Sequence, residues 1–327
     1  MVKYFGGKTM NDIAVSIVCN AYNHGAYIKD ALEGFVMQKT NFSYEVLVHD
    51  DASTDNTAEL IRRYEKEYPE IIKPVYQTVN QYSQGVNITA AFHLPRMQGK
   101  YVAHCEGDDY WTDPLKLQKQ YEALEAHPEV DICAHAANEI RSSDGKVIGV
   151  IAPGKKETLF TTAEVIAGGG GFVATNTLFY RRELLENLPP FRVYSGMDYA
   201  IQIHGALRGG MLYLPDNMAV YRKSVSGSWT DRMKASGYAD KQRERLKTML
   251  DMVNEETGGR YAETIRRAKL EADFASLDLA GRYKEMRTGE LREVYRDQTL
   301  YWKTVQFTKE HFPHLRQLAH KIHEEIL

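Results

Sequence analysis

Tyr44-Glu45-Val46-Leu47-Val48-His49-Asp50-Asp51-Ala52-Ser53-Thr54-Asp55 decides the fold of this chain. An apolar run over 44–49 ends in two carboxylates and passes directly into an amphipathic run over 56–68. Carboxylates are seldom buried without a partner. The carboxyl ends of parallel strands are where open α/β sheets bind ligands. A ligand site is therefore expected here. The competing reading is a helix N-terminus, with Ser53, Thr54 or Asp55 as the cap. Capping by Ser53 or Asp55 leaves Asp50 and Asp51 unexplained.

Upstream, 13–19 is a short β-branched run, the pattern of a buried strand. Asn20-Ala21-Tyr22-Asn23-His24-Gly25 reads as a turn, and 27–38 carries a helical stripe at Ile28, Ala31, Leu32, Phe35 and Val36. Downstream, 71–76 is another strand. Strand, helix, strand, helix, strand predicts a parallel sheet with helices on its faces. Residues 77–99 begin polar and turn helical through Ala90, Ala91, Leu94 and Met97, with Gly99 as the stop. The next strand, 101–105, again ends in acids: Glu106-Gly107-Asp108-Asp109. Two acidic strand ends can share one rim.

A helix is expected over 114–126, opened by Pro114. Runs 130–136 and 147–152 flank Ser143-Asp144-Gly145 as a hairpin. The four glycines 168–171 read as a loop, 172–181 as a strand, 199–207 as a helix and 211–222 as a strand. Past about residue 231 the strand signals give way to charged helical runs at 241–254, 261–279, 291–311 and 315–326. The expected division is a sheet domain over 1–230 and a helical extension over 231–327 that packs on it or forms a dimer surface. Basic groups there, Arg243, Arg245 and Lys247 and then Arg266, Arg267 and Lys269, are interleaved with acids. That favours a solvated or oligomer-contact face over a membrane-binding one, which needs a basic face opposite an apolar one.

Composition narrows the field. The chain has 327 residues, 43% hydrophobic and 26% charged, an ordinary globular balance. A net charge of −3 offers no basic field for nucleic acid. Cys19, Cys105 and Cys133 cannot all pair and match no zinc spacing. No run reaches the roughly 20 apolar residues of a membrane span, and residues 1–12 lack a signal-peptide core. A cytoplasmic protein is expected, with attachment to the inner face of a membrane left open.

Glu106-x-Asp108 sets two like charges side by side, an arrangement that calls for a cation or for full solvation. Oxygen-only ligands suit Mg2+ or Mn2+ rather than zinc. The stretches Val15-Ser16-Ile17-Val18-Cys19-Asn20-Ala21-Tyr22-Asn23, Val48-His49-Asp50-Asp51-Ala52-Ser53-Thr54-Asp55-Asn56-Thr57 and Gly99-Lys100-Tyr101-Val102-Ala103-His104-Cys105-Glu106-Gly107-Asp108-Asp109-Tyr110-Trp111 resemble, in order and spacing, family 2 glycosyltransferases of the GT-A fold. Chains of this kind often make bacterial surface polysaccharides.

The resemblance implies a GT-A α/β fold, a mixed, mostly parallel sheet flanked by helices. It implies a nucleotide-sugar donor, with UDP expected, and a saccharide or lipid-linked saccharide acceptor. Asn20, Ala21, Tyr22, Asn23 and Asp51 would hold the nucleotide, with Asp51 near the uracil ring and Glu106 and Gly107 beside it. Glu106 and Asp108 fall on the family's D-x-D, so Asp108 would bind Mn2+ or Mg2+ directly and Glu106 the ribose, the metal or its water. Asp109 would point away. Asp198, in Gly196-Met197-Asp198-Tyr199, falls at the catalytic base, although a helix cap is the plainer reading of that residue.

Two departures stand out. The His that often follows the Tyr221-Arg222 pair is Lys223-Ser224 here, leaving Arg222 or Lys223 to meet phosphates. The family's Ala-Arg-Asn reads Thr89-Ala90-Ala91, leaving Asn87 or Gln84 for the base. A GT-A domain that holds a nucleotide sugar or scaffolds a synthesis complex without turnover is the alternative reading. Trp111 and Trp229 are candidates for stacking on a sugar, more readily as packing, and His24, His104 and His135 read as structural.

Overall fold

The computed structural model describes residues 13–225, 232–233 and 237–312. The chain divides into two compact units, Met1–Ser228 and Trp229–Leu327.

The first unit is built on one sheet in the order β3-β2-β1-β4-β9-β6-β10-β5. Its parallel half comprises β1 (Ile13–Ala21), β2 (Ser43–Asp50), β3 (Ile72–Tyr76) and β4 (Tyr101–His104). Helices α1 (Ile28–Val36) and α2 (Thr57–Glu67) make the crossovers. Alternate side chains enter two separate apolar layers. Ile17, Cys19, Val46 and Val48 join one, while Val18 and Leu47 join the other. This two-sided burial explains why the strands read as continuous apolar runs.

The other half is mixed. It contains β5 (Tyr110–Trp111), β6 (Ile132–Arg141), β9 (Phe179–Arg181) and β10 (Met211–Lys223), with β7 (Val147–Ile151) on β6 and β8 (Thr158–Phe160) on β10. β6 and β7 form the expected antiparallel pair, whereas β6 and β10 run parallel. Helices α3 (Lys116–Ala126), α4 (Thr162–Gly168), α5 (Pro190–Tyr194) and α6 (Asp198–Gly209) complete the unit.

Several expectations are corrected. β1 runs on through Asn20 and Ala21, so the turn begins at Tyr22. Only Phe179–Arg181 of the run 172–181 is strand, because Thr175–Thr177 forms a 3-10 turn. Gly168 closes α4, a helix opened by a Thr161/Glu164 capping box. Gly99 is not a helix stop. The segment before it is a wide π-turn, Thr89–His93, followed by a 3-10 turn, Leu94–Arg96. Gly99 instead lets two backbones meet, since a Cβ there would lie 2.4 Å from the Ser16 nitrogen. A buried knot seals that approach: Gly99 N–H donates to Ser16 Oγ at 2.9 Å, and Ser16 Oγ donates to Glu45 Oε1 at 2.7 Å.

The second unit contains α7 (Tyr238–Glu256), α8 (Ala262–Leu279), α9 (Leu291–Asp297) and α10 (Leu300–His311) around Leu270, Phe274, Met286 and Val294. The run 291–311 is thus two helices, and 315–326 lies outside the described residues. Its basic clusters are matched internally. Arg243 and Lys247 pair with Asp273, Arg266 with Glu263 and Glu293, Arg267 with Glu271 and Asp297, and Lys269 with Asp251. Among the described residues no helix is long and apolar enough to cross a membrane.

Candidate active site

Parallel registry brings the acidic strand ends together. Ala21 pairs with Asp50, and Asp51 N–H donates to the Ala21 carbonyl at 2.9 Å. Beyond β4 the bonding to β1 continues, Cys105 N–H to Val18 O at 3.2 Å and Gly107 N–H to Asn20 O at 2.9 Å. That extension sets Glu106 beside Asn20, whose Nδ2 donates to Glu106 Oε1 at 3.3 Å. Gly107 leaves room for His24, whose Nδ1 would sit 2.8 Å from a Cβ at that position.

The stretch 50–55 is laced to the turn after β1. Asn23 N–H donates to Ser53 Oγ at 2.9 Å, Thr54 N–H to Asn23 Oδ1 at 2.8 Å, and Gly25 N–H to Asp55 Oδ2 at 2.9 Å. Asp55 Oδ1 also accepts Thr57 N–H at 3.0 Å and so serves the start of α2. Asn23 and Ala52 both take positive φ, 55° and 62°. For Ala52 that left-handed geometry is a strain the surrounding bonds must hold. Asp51 is nearly buried and accepts Gln81 N–H at 2.7 Å and Tyr82 N–H at 3.0 Å, shaping the loop after β3. Asp50 is buried with Oδ1 unpartnered. Of the expected nucleotide contacts, Asn20 and Asn23 already spend side-chain groups inside the protein, while the Tyr22 ring is 45% exposed. Asn87 Oδ1 accepts Ala90 N–H at 3.1 Å and opens the π-turn.

Asp198 is the first residue of α6, and its carboxylate does not cap the helix. Instead Oδ2 accepts the Thr175 hydroxyl at 2.5 Å. Burial raises its carboxyl above the ordinary range, and Thr175 and Arg192 oppose that rise. Burial, then Asp108 and Asp198, push the Glu106 carboxyl up to about 8. Asp198, distant in sequence from Glu106 and Asp108, therefore lies near enough to act on the Glu106 carboxyl. Asp109 does turn away from them: its Oδ1 accepts Arg222 N–H at 2.8 Å.

The expectation that Arg222 is open to phosphates is corrected, whereas the Lys223 side chain stays partly exposed. Arg222 is 8% exposed, bonds the Asp108 carbonyl at 2.7 Å, pairs with Asp30, and lies over the Tyr27 and Tyr110 rings. Lys223 pairs with Glu139 at 2.6 Å. Trp111 does not reach a sugar either. It is 2% exposed, packs on Phe35, and donates Nε1–H to Asn176 O. Trp229 lies outside the described residues. His135 donates Nδ1–H to the Ala136 carbonyl at 2.8 Å, and the His104 ring stacks on Tyr180. Sequence reasoning missed Thr175, hidden in a run read as strand, and Arg192 and His93, which carry no local signal.

The donor chemistry fits a divalent cation. Glu106 and Asp108 are half-buried carboxylates, hard oxygen donors of the kind such a cation takes. Among the described residues no group of three His, Cys, Asp or Glu side chains forms a full metal cage. Such an open set suits Mg2+ or Mn2+, whose remaining positions water and substrate phosphates fill.

A mostly parallel sheet with helices on its faces and carboxylates gathered at its strand ends is the GT-A glycosyltransferase architecture. The family model for glycosyl transferase family 2 matches residues 16–189, and the chain belongs to that family. It is 37% identical over 258 residues to an uncharacterized protein of Mycobacterium tuberculosis, covering 77% of this chain and 71% of the relative. It is 36% identical over 110 residues to the putative teichuronic acid biosynthesis glycosyltransferase TuaG of Bacillus subtilis, covering 34% of this chain and 41% of that one. Among solved structures it resembles S. aureus TarS 1-349 in complex with UDP-GlcNAc, with a TM-score of 0.61 and 19% identity over 80% of this chain and 73% of the other. At that identity the likeness speaks for the fold alone.

Proposed function

We propose that this protein is an inverting glycosyltransferase that moves a sugar from a UDP-sugar to a hydroxyl of a saccharide or lipid-linked saccharide acceptor, in bacterial cell-surface polysaccharide synthesis. The observation that carries the reading is that Asp198, held by Thr175, lies near enough to Glu106 to help burial and Asp108 raise its carboxyl. UDP-GlcNAc on TarS and teichuronic acid synthesis in the TuaG name support the donor and the pathway class. Three buried free cysteines are in keeping with a reducing cytoplasm.

Asp108 and Glu106 would hold Mn2+ or Mg2+, which neutralises charge on the departing diphosphate. Tyr22 offers an exposed ring for the base, and Asp51 fixes the loop beside it. Asp198 takes the acceptor hydroxyl proton on Oδ1, the oxygen not occupied by Thr175, as the hydroxyl attacks the anomeric carbon. One base and one displacement invert that carbon. Burial makes Asp198 a stronger base, while Thr175 and Arg192 keep it ionised.

Asp198→Asn should lower transfer on the order of 10²–10⁴-fold while UDP-sugar affinity stays within about twofold. UDP release in the presence of acceptor, together with calorimetric binding, reads both quantities. Undiminished transfer by the variant would overturn the base assignment.

A further inference from the structure

Glu106 is the end of a line of polar groups that begins in the core. The Asn20 amide donates to it through Nδ2. Asn20 Oδ1 meets His93 Nε2 at 2.9 Å. With its Nδ2 given to Glu106, the Asn20 amide has its oxygen left for His93. The imidazole must then carry its proton on Nε2. Its Nδ1 is buried and without a partner, as that tautomer requires of a bare nitrogen next to no donor.

The backbone is shaped to put His93 there. Pro95, two residues on, supplies no N–H and disfavours a regular α-turn, and Thr89–His93 widens to a π-turn instead. Arg96 then fastens the segment with bonds to Phe92 O at 2.8 Å, Lys73 O at 2.9 Å and Val48 O at 3.2 Å. His93 is fully buried, with His49 beside it in edge-to-face contact. A buried imidazole costs desolvation that an apolar residue would not.

We propose that His93 is a positioning residue of the donor site, fixing the Asn20 amide so that its NH2 group meets Glu106 and holds that carboxylate beside Asp108. The inference rests on the donor-site reading of Glu106 given above. An amide freed from His93 can rotate, present its oxygen to the carboxylate and push it out of place.

The experiment has two arms. In wild-type protein without nucleotide or metal, nitrogen-15 imidazole spectra should show His93 neutral with the proton on Nε2, and an Nδ1-protonated ring overturns the proposal. In the second arm, His93→Phe should weaken Mn2+-dependent UDP binding roughly tenfold, the scale of support lost behind a metal ligand. His93→Gln, which restores an N–H donor, should recover most of it. In an Asn20→Ala background, His93→Phe should add less than about twofold. Equal losses for Phe and Gln, or full additivity with Asn20→Ala, overturn it. Should His93→Phe fail to fold, the tautomer and the His93→Gln affinity still decide. Absence of any Mn2+-dependent UDP binding in wild type would remove the donor-site reading, while the tautomer would still report the arrangement.

Discussion

Replacing Lys116 by methionine should make this protein more stable at neutral pH. Lys116 is fully buried at the start of α3, and its Nζ has no hydrogen-bond partner. Its surroundings are the Cys105 and Cys133 thiols and the His104 and His135 rings, which burial holds uncharged, and no carboxylate answers it. The positive end of α3 adds to the penalty on a cation. Burial lowers the ammonium from 10.5 to about 7. The compensating contact is the Trp111 ring, whose centre lies 3.8 Å from Nζ. Such a cation–π contact offers about 2 kcal/mol. A group whose folded pKa is depressed this far opposes folding by about 1.4 kcal/mol per pH unit, on the order of 5 kcal/mol in all. The penalty wins. The unfolded chain binds the proton between pH 7 and 10.5 and the folded chain does not, so stability attributable to Lys116 rises across that window and is level below it. Glu106 titrates near 8 in the opposite sense, so the quantity to read is the difference between wild type and Lys116→Met. Urea midpoints at half-unit pH steps should show the variant ahead by a few kcal/mol at pH 7, with the gap closing toward pH 10.5. Parallel curves, or a variant weaker than wild type at pH 7, would refute the reasoning and show that the ring contact outweighs the cost of burying the ammonium.

The site and the core make three further predictions. Thr175→Val keeps volume but removes the donor to Asp198, so the base becomes harder to ionise and the acid limb of kcat/KM moves to higher pH; a limb that stays in place counts against Thr175 as a tuning group. With Glu106 pushed up to about 8, a cation binding with UDP at pH 7 should expel up to about one proton. Calorimetry in two buffers of different ionisation enthalpy reads this, Glu106→Gln should abolish it, and identical heats for wild type in both buffers would contradict it. Gly99→Ala places a Cβ 2.4 Å from Ser16 N, where backbone must move, and should cost about 3 kcal/mol or more in urea unfolding; a wild-type midpoint would mean the two segments part easily.

The parallel half of the sheet was legible because strands buried on both faces read as apolar runs, and two of those runs ended in acids. The mixed half was harder for physical reasons. β5 is two residues long and owes its place to pairing with β10, a contact more than a hundred residues away. The run 172–181 has the composition of a strand, yet Thr175 is drawn into a turn whose hydroxyl meets Asp198. Gly99 and Gly168 show one residue type with two uses, close backbone approach and a helix end, which local sequence cannot separate. At the site, the acids were visible, whereas their partners were not. His93, Arg192 and the Arg222–Asp30 pair depend on long-range packing and leave no periodic signal.

As sequence, the stretch 50–55 is a row of unanswered charges, and the structure sorts the acids of the rim into two kinds. Asp51 is answered by the Gln81 and Tyr82 amides, Asp55 by Gly25 and Thr57, and Asp109 and Asp30 by Arg222. Each of these hardens a loop around the cleft. Glu106 and Asp108 are treated differently, because Arg222 bonds the Asp108 carbonyl and pairs with Asp30 rather than with their carboxylates. Burial first, and then repulsion from Asp108 and Asp198, raise the Glu106 carboxyl. Binding a doubly charged cation there removes a penalty already present in the fold, so the loaded site gains more than the same carboxylates would gain in water.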